Sequence, residues 1–287
     1  GSPAGTVERS IALSLNLPEN TFVVTGGHDQ PCSGLGAGAI MPGVAVYSSG
    51  TVECITPAFS KPVMSVNLRK NNLCTYDHAA PGMYATVAFS LTGGNILKWF
   101  RDEFGSEEKH VSEESGRDAY ELLIEKMPDE PSRLIVLPYF TPSGTPYFDV
   151  SVKGAILGFD LTVKREELIR ALLEGVAFEI RLNLEILEQS GCPVSELRIM
   201  GGGARSLKHV QLKADVIGMP ITVLDVTEAG CMGVAMLARS YYTKDPVEKI
   251  AGEWIKPVAR IEPSRSDHYN QKFQQYKKLY PMLKTFY

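Results

Sequence analysis

The chain has 287 residues, 44% of them apolar and 22% charged, with a formal net charge of -4. That length suits two ordinary domains or one large one with an ample core. No apolar run approaches the roughly 18 residues of a membrane helix, the opening residues lack the basic-then-apolar order of a signal peptide, and no basic cluster offers a footprint for a phosphate backbone. The reading is of a cytoplasmic protein with neither membrane nor nucleic acid as partner.

Residues 21–25, 44–47, 63–68 and 84–89 carry the β-branched and aromatic side chains of strands, and a helix is predicted from Asn95 to Gly105. The Pro-rich stretch 138–146 must be loop and divides the chain into a strand-rich first half and a more helical second half. From 163 to 189 the apolar residues Leu168, Leu172, Val176, Ile180, Leu184 and Leu187 recur at spacings of three and four, a long helix closed by Gly191 and Pro193. A strand at 197–200 then meets Gly201-Gly202-Gly203. The next helix is capped by Ser206 and stopped by Gly218 and Pro220. A strand at 221–224 follows, and a small-residue segment, 227–242, allows close approach of its neighbours. Residues 263–287 read as a surface helix whose Tyr269, Phe273, Tyr276 and Leu279 form one stripe for packing. Alternating strands and helices imply an α/β fold.

Five cysteines lie far apart without a C-x-x-C pair, and five histidines are equally scattered, so neither a disulfide frame nor a protein-held metal site is expected. Three glycine turns could carry chemistry. Gly26-Gly27-His28-Asp29-Gln30 follows a strand, where Asp29 suits a general base, although capping the segment after it is the simpler role; His28 reads as structural. Ser49-Gly50-Thr51 ends a second strand and offers backbone N–H groups to phosphate oxygens, or is an ordinary turn. Gly201-Gly202-Gly203-Ala204 lets a nucleotide lie against the backbone at a helix N-terminus, though a structural role is an equal alternative. No Gly-Lys dipeptide and no G-x-G-x-x-G occur, which removes the P-loop and the dinucleotide fingerprint.

Taken together, these turns resemble, in order and spacing, the C-terminal domain of the FGGY carbohydrate kinases. Gly93-Gly94-Asn95-Ile96-Leu97-Lys98-Trp99, the run Gly154 to Gly158, Arg170 to Gly175, Gln211, Ala214-Asp215 and Glu228 to Val234 extend the likeness over residues 1–287. The resemblance implies an actin-like, ribonuclease H-like ATPase domain, one half of a two-domain enzyme that moves the γ-phosphate of ATP to a sugar or polyol hydroxyl. It implies Asp29 as catalytic base with Gln30 beside the substrate, and Gly50 and Thr51 at the β/γ-phosphates. Gly202, Gly203 and Ala204 would form the adenosine turn, with Gly94, Lys98 and Leu207 lining the nucleotide and Mg2+ arriving on ATP. Val52, Lys98 and Phe159 depart from the family's usual residues. The Asp-x-Gly-Thr loop of the family's sugar-binding N-terminal domain does not occur, so that domain is expected to lie outside this chain and the chain alone to be inactive. The texture is nearest the xylulokinase branch; gluconate, hexulose and glycerol are other acceptors, and a homodimer is admitted. A non-catalytic nucleotide-binding module of the same fold is the alternative.

Overall fold

The computed structural model describes residues 1–287. Strand β1 (Pro3–Thr6), helix α1 (Arg9–Ser14) and strand β2 (Phe22–Val24) make a small antiparallel ribbon that leads into α2 (Asp29–Gly36). Then come β3 (Val44–Ser49), β4 (Glu53–Phe59), α3 (Val66–Lys70), β5 (Tyr76–Asp77), β6 (Tyr84–Ala85) and β7 (Ala88–Ser90). Helices α4 (Gly94–Phe104), α5 (Ser106–Ser115) and α6 (Ala119–Lys126) precede the antiparallel pair β8 (Ile135–Leu137) and β9 (Ala155–Leu157). The long helix α7 (Arg165–Gln189) is followed by β10 (Glu196–Met200), α8 (Leu207–Ile217), β11 (Ile221–Leu224) and α9 (Ala229–Thr243). Helix α10 (Val247–Trp254), strand β12 (Pro257–Ile261), α11 (Ser266–Tyr276) and α12 (Leu279–Leu283) complete the chain.

Eight strands form the central sheet, in the order β12-β11-β10-β3-β4-β6-β5 with β7 also on β4. The pairing of β3 with β10 is parallel, Val44 opposite Glu196 through Ser48 opposite Met200. The two halves of different texture are therefore not separate bodies, because one sheet runs through both. Side chains alternate across it: Ala45 and Tyr47 of β3 face the larger core, Val44 and Val46 the smaller.

On the larger side lies α7, whose predicted apolar positions Leu172, Val176, Ile180, Leu184 and Leu187 are buried, with Leu168 half-buried against the same core. A Cβ at Gly175 would stand 2.8 Å from the Val136 carbonyl, so glycine lets α7 sit directly on β8. One residue earlier, the buried Glu174 carboxylate accepts from Arg170 Nε (2.8 Å), Tyr269 OH (2.7 Å), Lys272 Nζ (2.5 Å) and the Ser132 N–H (3.0 Å). A carboxylate removed from water is tolerable when donors fill its lone pairs in this way. Arg170 and Glu174 of this motif thus lock α11 to α7. Tyr269, Phe273, Tyr276 and Leu279 are buried as their stripe predicts. They belong to two helices, however, since the chain turns at Lys277 and Lys278.

On the smaller side α2 meets α9 almost backbone to backbone. A Cβ on Gly36 would lie 1.9 Å from the Ala229 carbonyl oxygen, and one on Gly233 would lie 2.0 Å from the Cys32 carbonyl oxygen. The close approach expected of the small-residue segment is realised here, and it fixes where α2 begins.

Two strand predictions need correction. Residues 63–68 do not form a strand: Ser65 Oγ accepts the Leu68 N–H at 3.0 Å and caps α3, an N-cap that outweighs the local β-propensity. Residues 84–89 are two short strands, β6 on Ala58 and Phe59 and β7 on Glu53 to Ile55. Pro57, which has no N–H to donate, falls in the gap between them.

Candidate active site

Because β3 and β10 are parallel neighbours, their C-terminal ends deliver Gly50-Thr51 and Gly201-Gly202-Gly203 to the same edge of the sheet. The approach is too close for side chains at two positions: a Cβ would stand 2.7 Å from the Ser49 carbonyl at Gly201 (φ 90°) and 2.0 Å from Ser49 Oγ at Gly203. The first turn of α4 hangs on the other flank. Gly94 donates its N–H to the Gly50 carbonyl (2.8 Å) and Asn95 to that of Thr51 (3.2 Å), while the Asn95 side chain bridges Gly93 N–H and the Leu91 carbonyl, each at 2.8 Å. Three chain segments are in this way knitted around one cavity of about 430 Å³.

Six of the eight residues expected at the nucleotide line it: Gly50, Thr51, Gly94, Lys98, Gly202 and Gly203. Gly202 and Gly50 differ from their neighbours, since a Cβ on Gly202 would meet nothing within 4 Å and one on Gly50 only the Val52 carbonyl at 3.8 Å. Nothing in the protein's own packing demands glycine there. Ala204 lies elsewhere, its methyl in the larger core. Leu207 is half exposed at the start of α8 and is not part of the lining.

The cavity also gathers residues that sequence reasoning passed over. Helix α6, capped by Asp118 whose carboxylate accepts the Tyr120 N–H at 2.7 Å, contributes Asp118, Tyr120, Glu121 and Ile124. The start of α8 adds Arg205 and His209 beside the capping Ser206, and the wall beneath the Gly50 turn adds Glu53. An aspartate ahead of an apolar helix was a legible capping signal for α6. No local signal tied that helix to the glycine turns.

Under the turns lies a buried ionic cluster. Lys213 Nζ, wholly buried, donates to Glu53 Oε1 (2.5 Å) and Tyr47 OH (2.7 Å); Ser49 Oγ donates to Glu53 Oε1 (2.8 Å), and Tyr47 OH donates to Glu53 Oε2. Burial pushes the Lys213 ammonium downward against the pull of Glu53, and it drives Tyr47 well above the usual phenol range with help from Glu53. His209, one turn before Lys213, is held well below the ordinary imidazole value, first by burial and then by the Lys213 charge.

Asp29 and Gln30 stand apart from the cavity lining. Asp29 opens α2, its Oδ1 accepting the Gln30 N–H at 2.7 Å and lying 3.0 Å from His28 Nδ1. The carboxylate sits in the first turn of α2 without capping it, since the N-cap position is His28 and no side chain makes a cap bond there, and it remains 76% exposed and free to meet a ligand. It is close enough to raise the thiol of Cys54, which burial, then Glu53, then Asp29 push to about 12. Gln30 carries a buried Oε1 with no hydrogen-bond partner.

Residues 45–241 match the model of the C-terminal domain of the FGGY family of carbohydrate kinases. The chain belongs to this family. Among its FGGY relatives, xylulose kinase of Bacillus subtilis (strain 168) is 27% identical over 286 residues, 99% of this chain and 54% of that protein. Autoinducer-2 kinase of Yersinia enterocolitica is 33% identical over 245 residues, 83% of this chain and 45% of the relative. The crystal structure of xylulose kinase from Rhodospirillum rubrum superposes with a TM-score of 0.83 at 25% identity, covering 99% of this chain and 56% of that one. The fold is the actin-like ATPase fold of the FGGY sugar kinases, and the chain spans about half the length of the relatives it matches. No helix is long and apolar enough to cross a membrane.

Proposed function

We propose that residues 1–287 form the ATP-binding C-terminal domain of an FGGY kinase that phosphorylates a sugar or polyol hydroxyl, with xylulose the favoured acceptor because relatives along the whole chain carry that name. The observation that carries this reading is the convergence of the glycine segments at 50–51, 93–94 and 202–203 on one cavity, two of whose glycines answer to no contact inside the protein. A backbone stripped of Cβ at those points lets phosphate and ribose approach the N–H groups and the N-termini of α4 and α8. Gly50, Thr51 and Gly94 would hold the phosphate end. Gly202 and Gly203 would lie against the nucleoside, with Lys98 at the rim and Ala204 and Leu207 supporting the turn from outside.

Asp29 would accept the acceptor's hydroxyl proton as that oxygen bonds to the γ-phosphorus and the bond to the bridging oxygen breaks, releasing ADP. Gln30 would help to orient the acceptor. The chain has no group of three His, Cys, Asp or Glu side chains suited to a metal. A magnesium ion would therefore be held chiefly by the nucleotide's own phosphate oxygens, where it neutralises charge. Cytoplasmic location and a homodimer belong to the same reading.

The test has two arms. Titration calorimetry of this chain with ADP and ATP should show binding at one site; no heat and no thermal shift would refute the nucleotide site. In the full-length polypeptide, a sugar panel scored by ADP release should find an acceptor, and Asp29→Asn should lower kcat by about 10²- to 10⁴-fold with nucleotide affinity kept. Unchanged turnover would favour the non-catalytic module.

A further inference from the structure

His209 is 6% exposed, its backbone N–H donates to Ser206 Oγ at 3.4 Å, and its ring makes no hydrogen bond with any protein group. Yet it lines the cavity. Its ring nitrogens are not among the sealed, unpartnered polar atoms of the interior, so they open on the cavity with a donor and an acceptor that the protein itself leaves unused. Lys213 and burial together hold it neutral, so it is unsuited to serve as a cation for phosphate. A neutral imidazole offers one N–H and one lone pair, the complement of a heterocyclic base edge. The same lining includes Leu97, Ile124, Leu173 and Val176, buried aliphatic side chains that offer the cavity an apolar surface suited to a flat ring.

We infer that the base of the bound nucleotide lies on this aliphatic wall and that the ring edge of His209 reads it by hydrogen bonding, making His209 a specificity-determining residue. This rests on the nucleotide reading of the cavity. It adds a direct contact from α8 beyond the glycine turn, at a residue with no sequence signature of its own.

The experiment measures affinities of the chain for ADP, GDP and pyrophosphate, wild type beside His209→Leu and His209→Gln, with thermal melting as the folding control. The leucine variant should bind ADP about tenfold more weakly and lose most of its preference between ADP and GDP, while pyrophosphate affinity stays unchanged. Glutamine, which keeps a donor and an acceptor, should recover much of the ADP affinity. A leucine variant that is folded and binds and discriminates as the wild type does would overturn the role of His209. Wild-type protein that binds none of the three ligands would instead overturn the nucleotide site itself. A crystal structure of the wild-type ADP complex decides independently of any variant: a His209 ring nitrogen within about 3.2 Å of a base nitrogen or exocyclic group supports the assignment, and a larger separation ends it.

Discussion

The neighbouring glycines 202 and 203 allow packing and ligand contact to be separated by a single methyl group. At Gly203 the methyl of an alanine would sit 2.0 Å from Ser49 Oγ and 2.9 Å from Ser49 Cβ. The hydroxyl must leave, breaking its 2.8 Å bond to the buried Glu53 carboxylate. A hydrogen bond to a charged group contributes about 1.5–3 kcal/mol, so Gly203→Ala should destabilise by roughly 2 kcal/mol, a fall in Tm of about 4 °C or more for a chain of this size. At Gly202 the same methyl meets no protein atom within 4 Å, and the stiffer unfolded chain should leave stability unchanged or raise it by up to about 1 kcal/mol. If a nucleotide lies against this turn, that methyl occupies its space, and ADP affinity should fall at least about tenfold. Melting curves and ADP titrations of the two variants provide the comparison. Equal ADP affinity for wild type and Gly202→Ala would refute the claim that a ligand, rather than packing, explains this glycine.

Lys213→Met should strand the Glu53 carboxylate in the interior and destabilise by about 3–5 kcal/mol, with Glu53→Gln added to Lys213→Met recovering much of the loss; a single variant within 1 kcal/mol of wild type in urea unfolding would show that the cluster contributes little. Glu179 on α7 is buried, and desolvation lifts its carboxyl from the ordinary 4.5 to about 7, against the hydrogen bonds of Tyr276 and Tyr139. Between those values the folded state keeps a proton that the unfolded chain has released. Stability from this group is therefore complete below pH 4.5 and lost as pH rises through about 7, a change of about 3 kcal/mol. Glu179→Gln should flatten that part of the stability profile, measured by urea unfolding from pH 4.5 to 8, and an unaltered slope would contradict the assignment.

The long periodic elements were legible because their burial is one-sided or complete: α7, β10, α8 and β11 appear within two residues of their predicted limits. Helix α2 was not, for its sequence Asp-Gln-Pro-Cys-Ser-Gly-Leu-Gly is poor in helix formers. What holds it is contact with α9, in which Gly36 and Gly233 trade propensity for closeness. Strand β4 carries a proline and a buried glutamate, Pro57 and Glu53, both against strand propensity, and the cation that makes burial of Glu53 tolerable, Lys213, is distant in sequence. The same holds at the cavity. Glycine turns announce themselves because a run such as Gly201-Gly202-Gly203 is locally costly, whereas the cavity's α6 residues and His209 acquire meaning only when the sheet and the helices assemble. Asp29 was legible as a candidate for two roles, and the structure sets its carboxylate in the first turn of α2, open to solvent and without a capping bond.

The parallel seam between β3 and β10 joins positions about 150 residues apart, Ser48 to Met200. On a ribosome adding roughly 5–20 residues per second, β3 emerges some 8–30 s before the strand that completes its hydrogen bonding. For that interval the open edge of β3 is a bare template for other chains, and the cavity does not exist. Nucleotide cannot guide the early steps of synthesis; it can only reward the finished sheet. Growing cells should therefore depend on chaperones to shield this edge, and nucleotide supply should change how much completed protein survives rather than how fast it first collapses.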